Sequence, residues 1–294
     1  MTYSIVARDP DTGELGVAVQ SHWFSVGPVV PWARPGVGAI ATQAMARVQY
    51  GPEGLELLAA GVGAEQALSQ LLAKDEGSGW RQVAVIDASG AVCTHTGTDC
   101  IPFAGHAVGE QVSCQANIMA RETVWDAMLT TFQSSSGPLA ERLLAALDAA
   151  EAEGGDLRGR QSAALLVVPG TGEWWETTVS LRVEDDPEPL RELRRLLRLH
   201  SAYQLAGEAD DLVTEGRRAD GARRYQEAAT LEPDSHELLF WSGIGMVEAG
   251  NEQDGIALVR RAIELQPSWA ELLPRMPAQR SPGLTVVSDA LGLS

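Results

Sequence analysis

The chain is almost without lysine. Lys74 is the single one among 294 residues, and arginine supplies the remaining basic side chains. That scarcity excludes lysine from nearly every catalytic position. Positive charge is short altogether, with 22 Lys and Arg against 40 Asp and Glu and a formal net charge of -18. Residues 1–183 and 184–294 each carry 20 acidic residues, against 10 and 12 basic ones. Charge spread in this way argues against nucleic acid or an anionic membrane as a partner and favours solubility. Cysteine is scarce too, with Cys93, Cys100 and Cys114 only. Their odd number and spacing fit no metal site; a disulfide between Cys93 and Cys100 is open, and free thiols in a reducing compartment fit better.

Long hydrophobic runs are missing. No stretch approaches the roughly 20 apolar residues of a membrane span. The opening MTYSIVARDP has no basic segment and no apolar run, so no leader is expected and a cytoplasmic location is. No glycine-rich phosphate loop or dinucleotide fingerprint stands where a strand meets a helix. His95 and His106 lack a third ligand at metal spacing. Neither cofactor nor metal is expected.

What is present is ordinary globular composition, 45% hydrophobic and 21% charged, in a length that allows two domains. Residues 3–8 and 15–21 are β-prone and flank a turn at Asp9-Pro10-Asp11-Thr12-Gly13, which predicts an opening hairpin. Residues 26–43 read as two extended pieces broken by Pro31 and Pro35. Helical periodicity follows over 52–74, interrupted at Gly61-Val62-Gly63. A second hairpin is predicted over 81–97, a strand over 106–120, and helices over 121–133 and 138–153. Strands over 162–168 and 174–185 close the series. Antiparallel pairs with helices in blocks predict an α+β fold of stacked sheets with helices layered on them.

From Pro187 only helical patterns remain, and they repeat. Leu231-Glu232-Pro233 returns as Leu265-Gln266-Pro267, Asp220-Gly221 as Asp254-Gly255, and Gly216 as Gly250, each 34 residues on. That is the tetratricopeptide period. The expected organisation is a domain over 1–186 and an all-α tail over 187–294, with repeats at about 203–236 and 237–270. Two repeats are fewer than the roughly three that stand alone, so the helix at 187–200 is expected to cap one end. The array is then expected to dock on the first domain or on another copy, and a homo-oligomer is the expected state.

Thr2 follows the initiator methionine and precedes the first strand. With Met1 trimmed, it would offer a hydroxyl nucleophile and, as base, its own α-amine with a pKa near ~8. Polar residues gather at predicted strand ends: Ser21 and His22, Gln43, Asn117, and Arg160 and Ser162. Asn117 and Gln43 are candidates to donate to an oxyanion, and Arg160 to clamp a substrate carboxylate. Each also has a plainer reading as a partner of nearby backbone or carboxylates. Trp174-Trp175 is either a ligand platform or packing.

The segments TYSIVARDPDTGELGVAVQS and VGPVVPWARPGVGAIATQA, then HTG at 95–97, IPFAGH at 101–106, GDLRGRQSAALLVV at 155–168 and DDPEPLRELRRLLRLH resemble the domain-of-unknown-function 1028 family. The resemblance spans residues 2–200. It implies an N-terminal-nucleophile (Ntn) hydrolase-like fold, a four-layer αββα sandwich with Thr2 opening the first strand at the mouth of a cleft. It implies no substrate, since the family has none established. Some relatives carry a tail of peptidoglycan-binding type; here tetratricopeptide-like repeats stand in its place. Proteasome-type sites use a lysine beside the nucleophile, and residues 2–73 contain none, so the α-amine must work among neutral or arginine neighbours. The expected function is hydrolysis of a small amide or peptide-like substrate by Thr2. The alternative is a non-catalytic small-molecule-binding or scaffold protein whose repeats recruit a protein partner.

Overall fold

The computed structural model describes residues 2–277 and 281–293. It divides into two compact units, Met1–Arg194 and Arg195–Ser294.

The first unit holds two antiparallel sheets. One has six strands in the order β10-β9-β2-β1-β8-β7: β1 Thr2–Arg8, β2 Leu15–Ser21, β7 Gly105–Gly109, β8 Val112–Asn117, β9 Ser162–Val168 and β10 Val179–Val183. The other has four strands in the order β3-β4-β5-β6: β3 Pro31–Arg34, β4 Gly38–Ala44, β5 Arg81–Asp87 and β6 Val92–Thr96. Alternation decides which side chains meet between the sheets. Val6, Val17 and Val19 of one sheet pack there against Ala39, Ala41, Ala84 and Ile86 of the other. Helices α1 (Tyr50–Ala59) and α2 (Ala64–Ala73) cover the outer face of the four-stranded sheet, burying Leu55, Leu58, Leu68 and Leu71 against Ile40, Val83 and Val85. Helices α3 (Val124–Ser134) and α4 (Leu139–Ala152) cover the outer face of the six-stranded sheet, where the Tyr3 hydroxyl reaches Glu151 of α4.

Three segments differ from their sequence patterns. Residues 26–30 are not extended; Val29 and Val30 N–H both return to the Val26 carbonyl, and Val26 and Val30 are buried through the turn they make. Residues 106–120 are not one strand but the hairpin β7–β8, turned at Gln111, whose φ of 56° needs no glycine. Residues 174–178 lie ahead of β10, and Trp174 and Trp175 project from a turn, edge to face and exposed. The three cysteines are free, with Cys114 wholly buried.

The second unit is helical. It begins within α5 (Pro189–Thr214), which runs well past residue 200 because nothing breaks it before Gly216. Helices α6 (Arg218–Leu231), α7 (His236–Glu248), α8 (Glu252–Leu265), α9 (Ser268–Leu272) and α10 (Pro282–Leu291) follow. The 34-residue sequence period is also a structural one. Gly216 and Gly250 both end a helix at positive φ, 83° and 97°. The N–H groups of Arg217 and Asn251 then return to Leu212 and Met246 at 2.8 Å each. Among the described residues no helix is long and apolar enough to cross a membrane.

Candidate active site

One end of the two-sheet stack carries polar residues where apolar ones would be expected. The registers Thr2↔Ser21, Thr2↔Asn117 and Ser21↔Ser162 place four of them in a single row across β9, β2, β1 and β8: Ser162, Ser21, Thr2, Asn117. Directly paired residues of antiparallel strands share a face, so all four stand on the side turned toward the second sheet. The Thr2 and Ser21 hydroxyls are 3.0 Å apart.

Gln43 at the end of β4 comes in from the opposite sheet. Its amide nitrogen donates to the Thr2 carbonyl at 3.3 Å and to Gln82 Oε1 at 2.7 Å, while its carbonyl accepts from Ser4 at 2.6 Å. Asn117 Nδ2 donates to the Thr2 carbonyl at 3.4 Å and to the same Gln82 oxygen at 3.0 Å. Gln82 in turn donates to Thr96 Oγ1 at 2.9 Å and to the Ala116 carbonyl at 2.9 Å. Gln115 bonds Ser4 and Ser113. Ser4, Gln43, Gln82, Gln115 and Asn117 are all within 1% of full burial.

An apolar filling of equal shape can be nearly as stable as such a network, whereas an incomplete one costs about 1–3 kcal/mol per orphaned group. Stability alone therefore does not account for it. What the network does is fix the backbone of Thr2 from two sides.

Sequence patterns alone passed over Gln82, Gln115 and Ser4. The available signal was a polar residue on an inward position of an otherwise apolar strand, as in RQVAVID, where Gln82 shares a face with Ala84 and Ile86. The amide nitrogens of Gln43 and Asn117 both reach the Thr2 carbonyl and Gln82, and that of Gln43 also the Gln115 carbonyl at 3.2 Å, so the two brace the Thr2 backbone.

Ser162 acts on a neighbouring loop. Its hydroxyl donates to the Trp23 carbonyl at 2.5 Å and accepts from the Val26 N–H at 3.1 Å. It thereby pins the segment after β2. His22 gives its backbone N–H to the buried Asp156 at 3.0 Å, and its ring Nδ1 lies 3.3 Å from the Arg160 carbonyl. Arg160 is drawn to Glu151 and Glu188, both at 2.5 Å. Glu151 also receives the hydroxyl of Tyr3, which faces away from Thr2 along β1, so Arg160 sits behind the strand rather than beside Thr2. Burial, and then the Glu151 charge, push the Tyr3 phenol well above its ordinary pKa. Among the described residues no group of His, Cys, Asp and Glu is arranged to hold a metal ion.

A pocket of about 520 Å³ opens beside this row, within the size range of small-ligand sites. Thr2, Ser21 and Gln43 form its polar part; Trp23, Val26, Val29, Val30, Met45 and Val48 supply most of the rest. Arg81 is the one charged lining residue among the described residues, and it is held by Asp75 at 2.8 Å and the Met45 carbonyl at 2.5 Å. Arg47 meets the same carboxylate at 3.2 Å. The hydrogen bond from Arg81 holds the Asp75 carboxyl well below the usual range, against its burial. Ser25, Ala44 and Ile118, which adjoin the pocket and the row, have φ of 56°, 67° and 56°. For a β-branched residue such as Ile118 this is strained backbone, of a kind that gathers at functional sites.

A family of unknown function, DUF1028, matches residues 2–193. The chain belongs to this family. The DUF1028 match ends beside the boundary of the first compact unit and contains the whole row and pocket. Protein SPO2555 from Silicibacter pomeroyi, a solved DUF1028 structure, is 32% identical with a TM-score of 0.62, over 67% of this chain and 84% of that one. Anbu, the ancestral beta-subunit from Yersinia bercovieri, aligns over 73% of this chain and 96% of that one, at 12% identity and a TM-score of 0.34. No curated protein matches the chain.

Proposed function

We propose that the first unit is an Ntn-type amide hydrolase, a four-layer αββα sandwich in which Thr2 is the nucleophile once Met1 has been removed. Met1 itself lies outside the described residues. The observation that supports this most is the Thr2 hydroxyl: it lines a ligand-sized pocket, 3.0 Å from the Ser21 hydroxyl, on a strand end braced by Gln43 and Asn117.

The freed α-amine takes the proton of Thr2 Oγ1 as that oxygen bonds to the substrate carbonyl carbon. The same proton passes to the departing nitrogen as the C–N bond breaks, leaving an ester on Thr2 and a free amine. Water then adds to the ester carbon and gives a proton to the α-amine. That proton returns to Oγ1 as the C–O bond breaks, releasing a carboxylic acid. Ser21 bonds the attacking hydroxyl and orients it.

In this reading the helical unit is a tetratricopeptide-like array that serves self-association or recruits a protein partner, in the cytoplasm. The substrate is a small amide or peptide-like molecule.

A second reading, a non-catalytic ligand-binding module, draws on the neutrality of the Thr2 surroundings: Ser21, Gln43 and Asn117 offer neither acid nor base. The Thr2→Ala variant separates the two on a panel of small amides, with the N-terminal mass checked first. Turnover by the Met1-free chain that disappears in the variant supports the hydrolase. Turnover that persists removes Thr2 as nucleophile, and ligand binding without turnover in either chain favours the module.

A further inference from the structure

The polarity of the pocket constrains what can occupy it. Its walls are largely Trp23, Val26, Val29, Val30, Met45 and Val48; Thr2, Ser21 and Gln43 lie together in hydrogen-bond contact, and Arg81 is the remaining polar side chain among the described lining residues. Val26 and Val30 are 2% exposed and belong to the core between the sheets, so that wall is firmly backed. The opposite wall is a short loop after β4, held by the Arg81 bond to the Met45 carbonyl and by Thr42 Oγ1, which donates to the Arg47 carbonyl at 3.2 Å. Arg81 and Arg47 both turn to Asp75, which also accepts from Tyr50 at 2.9 Å. The pocket cation is thus engaged in holding the wall.

At the mouth the apolar surface continues into solvent, with Trp23 and Met45 each 60% exposed and Val48 38%. Apolar side chains held open in this way around a concave site gain by being covered.

We infer that the pocket takes the acyl half of the substrate, and that this half is an uncharged, apolar acyl group such as a medium-length aliphatic chain, with its carbonyl at Thr2. The inference rests on the reading of Thr2 as nucleophile for where the carbonyl lies, but the preference for apolar chains belongs to the pocket itself. A charged acyl group would lose its hydration against the valine and methionine walls, and Arg81, the one charged side chain among the described lining residues, is already held by Asp75.

The test separates the two. Binding is measured calorimetrically on the full-length Thr2→Ala chain, which cannot turn substrate over in the proposed mechanism. The probes are straight-chain primary amides from acetamide to decanamide, with glutaramate and 6-aminohexanamide as anionic and cationic counterparts. Affinity is expected to rise about four-fold per methylene through the middle of the series. The charged probes should bind at least about ten-fold more weakly than neutral amides of equal length.

Met45→Glu and Val48→Glu alter exposed rim positions and leave the core intact. Each should flatten the chain-length dependence while the melting temperature stays within a few degrees. A flat series in the unmodified pocket, or glutaramate binding better than pentanamide through Arg81, overturns the inference. So does a slope that survives both glutamates, because the amides are then held elsewhere. Should the Met1-free wild type bind the series and cleave none of it, the hydrolase reading fails and the ligand class stands.

Discussion

Gln43 Nε2 donates to Gln82 Oε1 at 2.7 Å, joining β4 to β5 inside the space between the two sheets. Asn117 Nδ2 shares that oxygen at 3.0 Å. One buried carbonyl therefore orients both amides that reach the Thr2 backbone. Gln82→Ala removes it, takes one acceptor from each of two buried amides, and leaves the Thr96, Gly105 and Ala116 oxygens without the Gln82 donor. Each orphan costs about 1–3 kcal/mol, and the cavity left by the shortened side chain adds to this. The expected loss is about 3–4 kcal/mol of stability in the first unit, read from hydrogen exchange of β4 and β5 amides. Any Thr2-dependent turnover should fall further than stability accounts for.

Ser21 and Thr2 share one hydroxyl–hydroxyl contact. Ser21→Ala removes it without changing the strand pairing, since both residues stay in register with their neighbours. If Ser21 orients the attacking oxygen, turnover drops about ten-fold, the equivalent of one neutral hydrogen bond. Thr2→Ser, which keeps the hydroxyl, retains activity, and Thr2→Ala loses it to background. Equal rates for the Thr2→Ala chain and wild type would remove Thr2 from the chemistry.

Much of this arrangement was legible in the residues. Leu15–Ser21 was readable as a strand from its β-branched content and the Pro-Asp-Thr-Gly turn before it, and Ser21 follows as its end. The 34-residue spacing of Gly216 and Gly250 predicted the helical turns, because only a residue tolerant of positive φ ends a helix in that way. Register was not legible. That Thr2 stands opposite both Ser21 and Asn117 depends on a hairpin and on a pairing more than a hundred residues apart in sequence. Gln82 is not marked by the sequence for the same reason, as its partners come from four different strands. The guanidinium of Arg160 was open to a substrate reading because nothing local showed Glu151 and Glu188 beside it.

The proposed base makes a pH prediction of its own. An α-amine accepts a proton only when neutral, and its unperturbed pKa is near ~8. Turnover by the Met1-free chain should rise about ten-fold per pH unit below that value and level off above it. The side chains against Thr2, namely Ser21, Gln43 and Asn117, do not titrate in this range. N-terminal acetylation should abolish the activity at every pH. A rate independent of pH between 6 and 9 would exclude the amine as base.

Asp75 gives the pocket wall its acid sensitivity. Its folded pKa lies well below the unfolded value of about 3.9, chiefly through the Arg81 hydrogen bond. A depressed carboxylate contributes stability that is fully present above the unfolded pKa and is lost as pH falls through the folded one. Asp75→Asn leaves Arg81 and Arg47 without their shared counter-charge. At pH 7 it should cost the first unit about 3 kcal/mol. The gap from wild type should narrow steadily as pH falls below about 4. Hydrogen exchange of the β5 amides at pH 7 and in acid measures both; a gap that stays constant would mean that the carboxylate charge is not what matters there.

The helical unit provides the last contrast, between two glycines five residues apart. A Cβ at Gly250 would meet nothing within 4 Å, so Gly250→Ala costs only the strain of an L-residue at φ 97°, about 1–2 kcal/mol. A Cβ on Gly255 would lie 2.5 Å from the Gly243 carbonyl oxygen, and one on Gly243 2.7 Å from that of Gly255. Here α7 and α8 touch backbone to backbone. Alanine is the better helix former by up to about 1 kcal/mol, but the backbone oxygen cannot give way as a side chain can. Forcing the helices apart costs about 1–3 kcal/mol, and it loosens the packing of Phe240 and Val259 in the same core. Gly255→Ala should therefore be destabilising in spite of its propensity gain. It should also shift the Trp241 and Trp269 environment, as followed by fluorescence during thermal unfolding. Gly250→Ala should lower the same transition and leave the native emission unchanged. If Gly255→Ala raised the transition instead, propensity would outweigh contact, and the close approach of α7 and α8 would not be what the glycines are for.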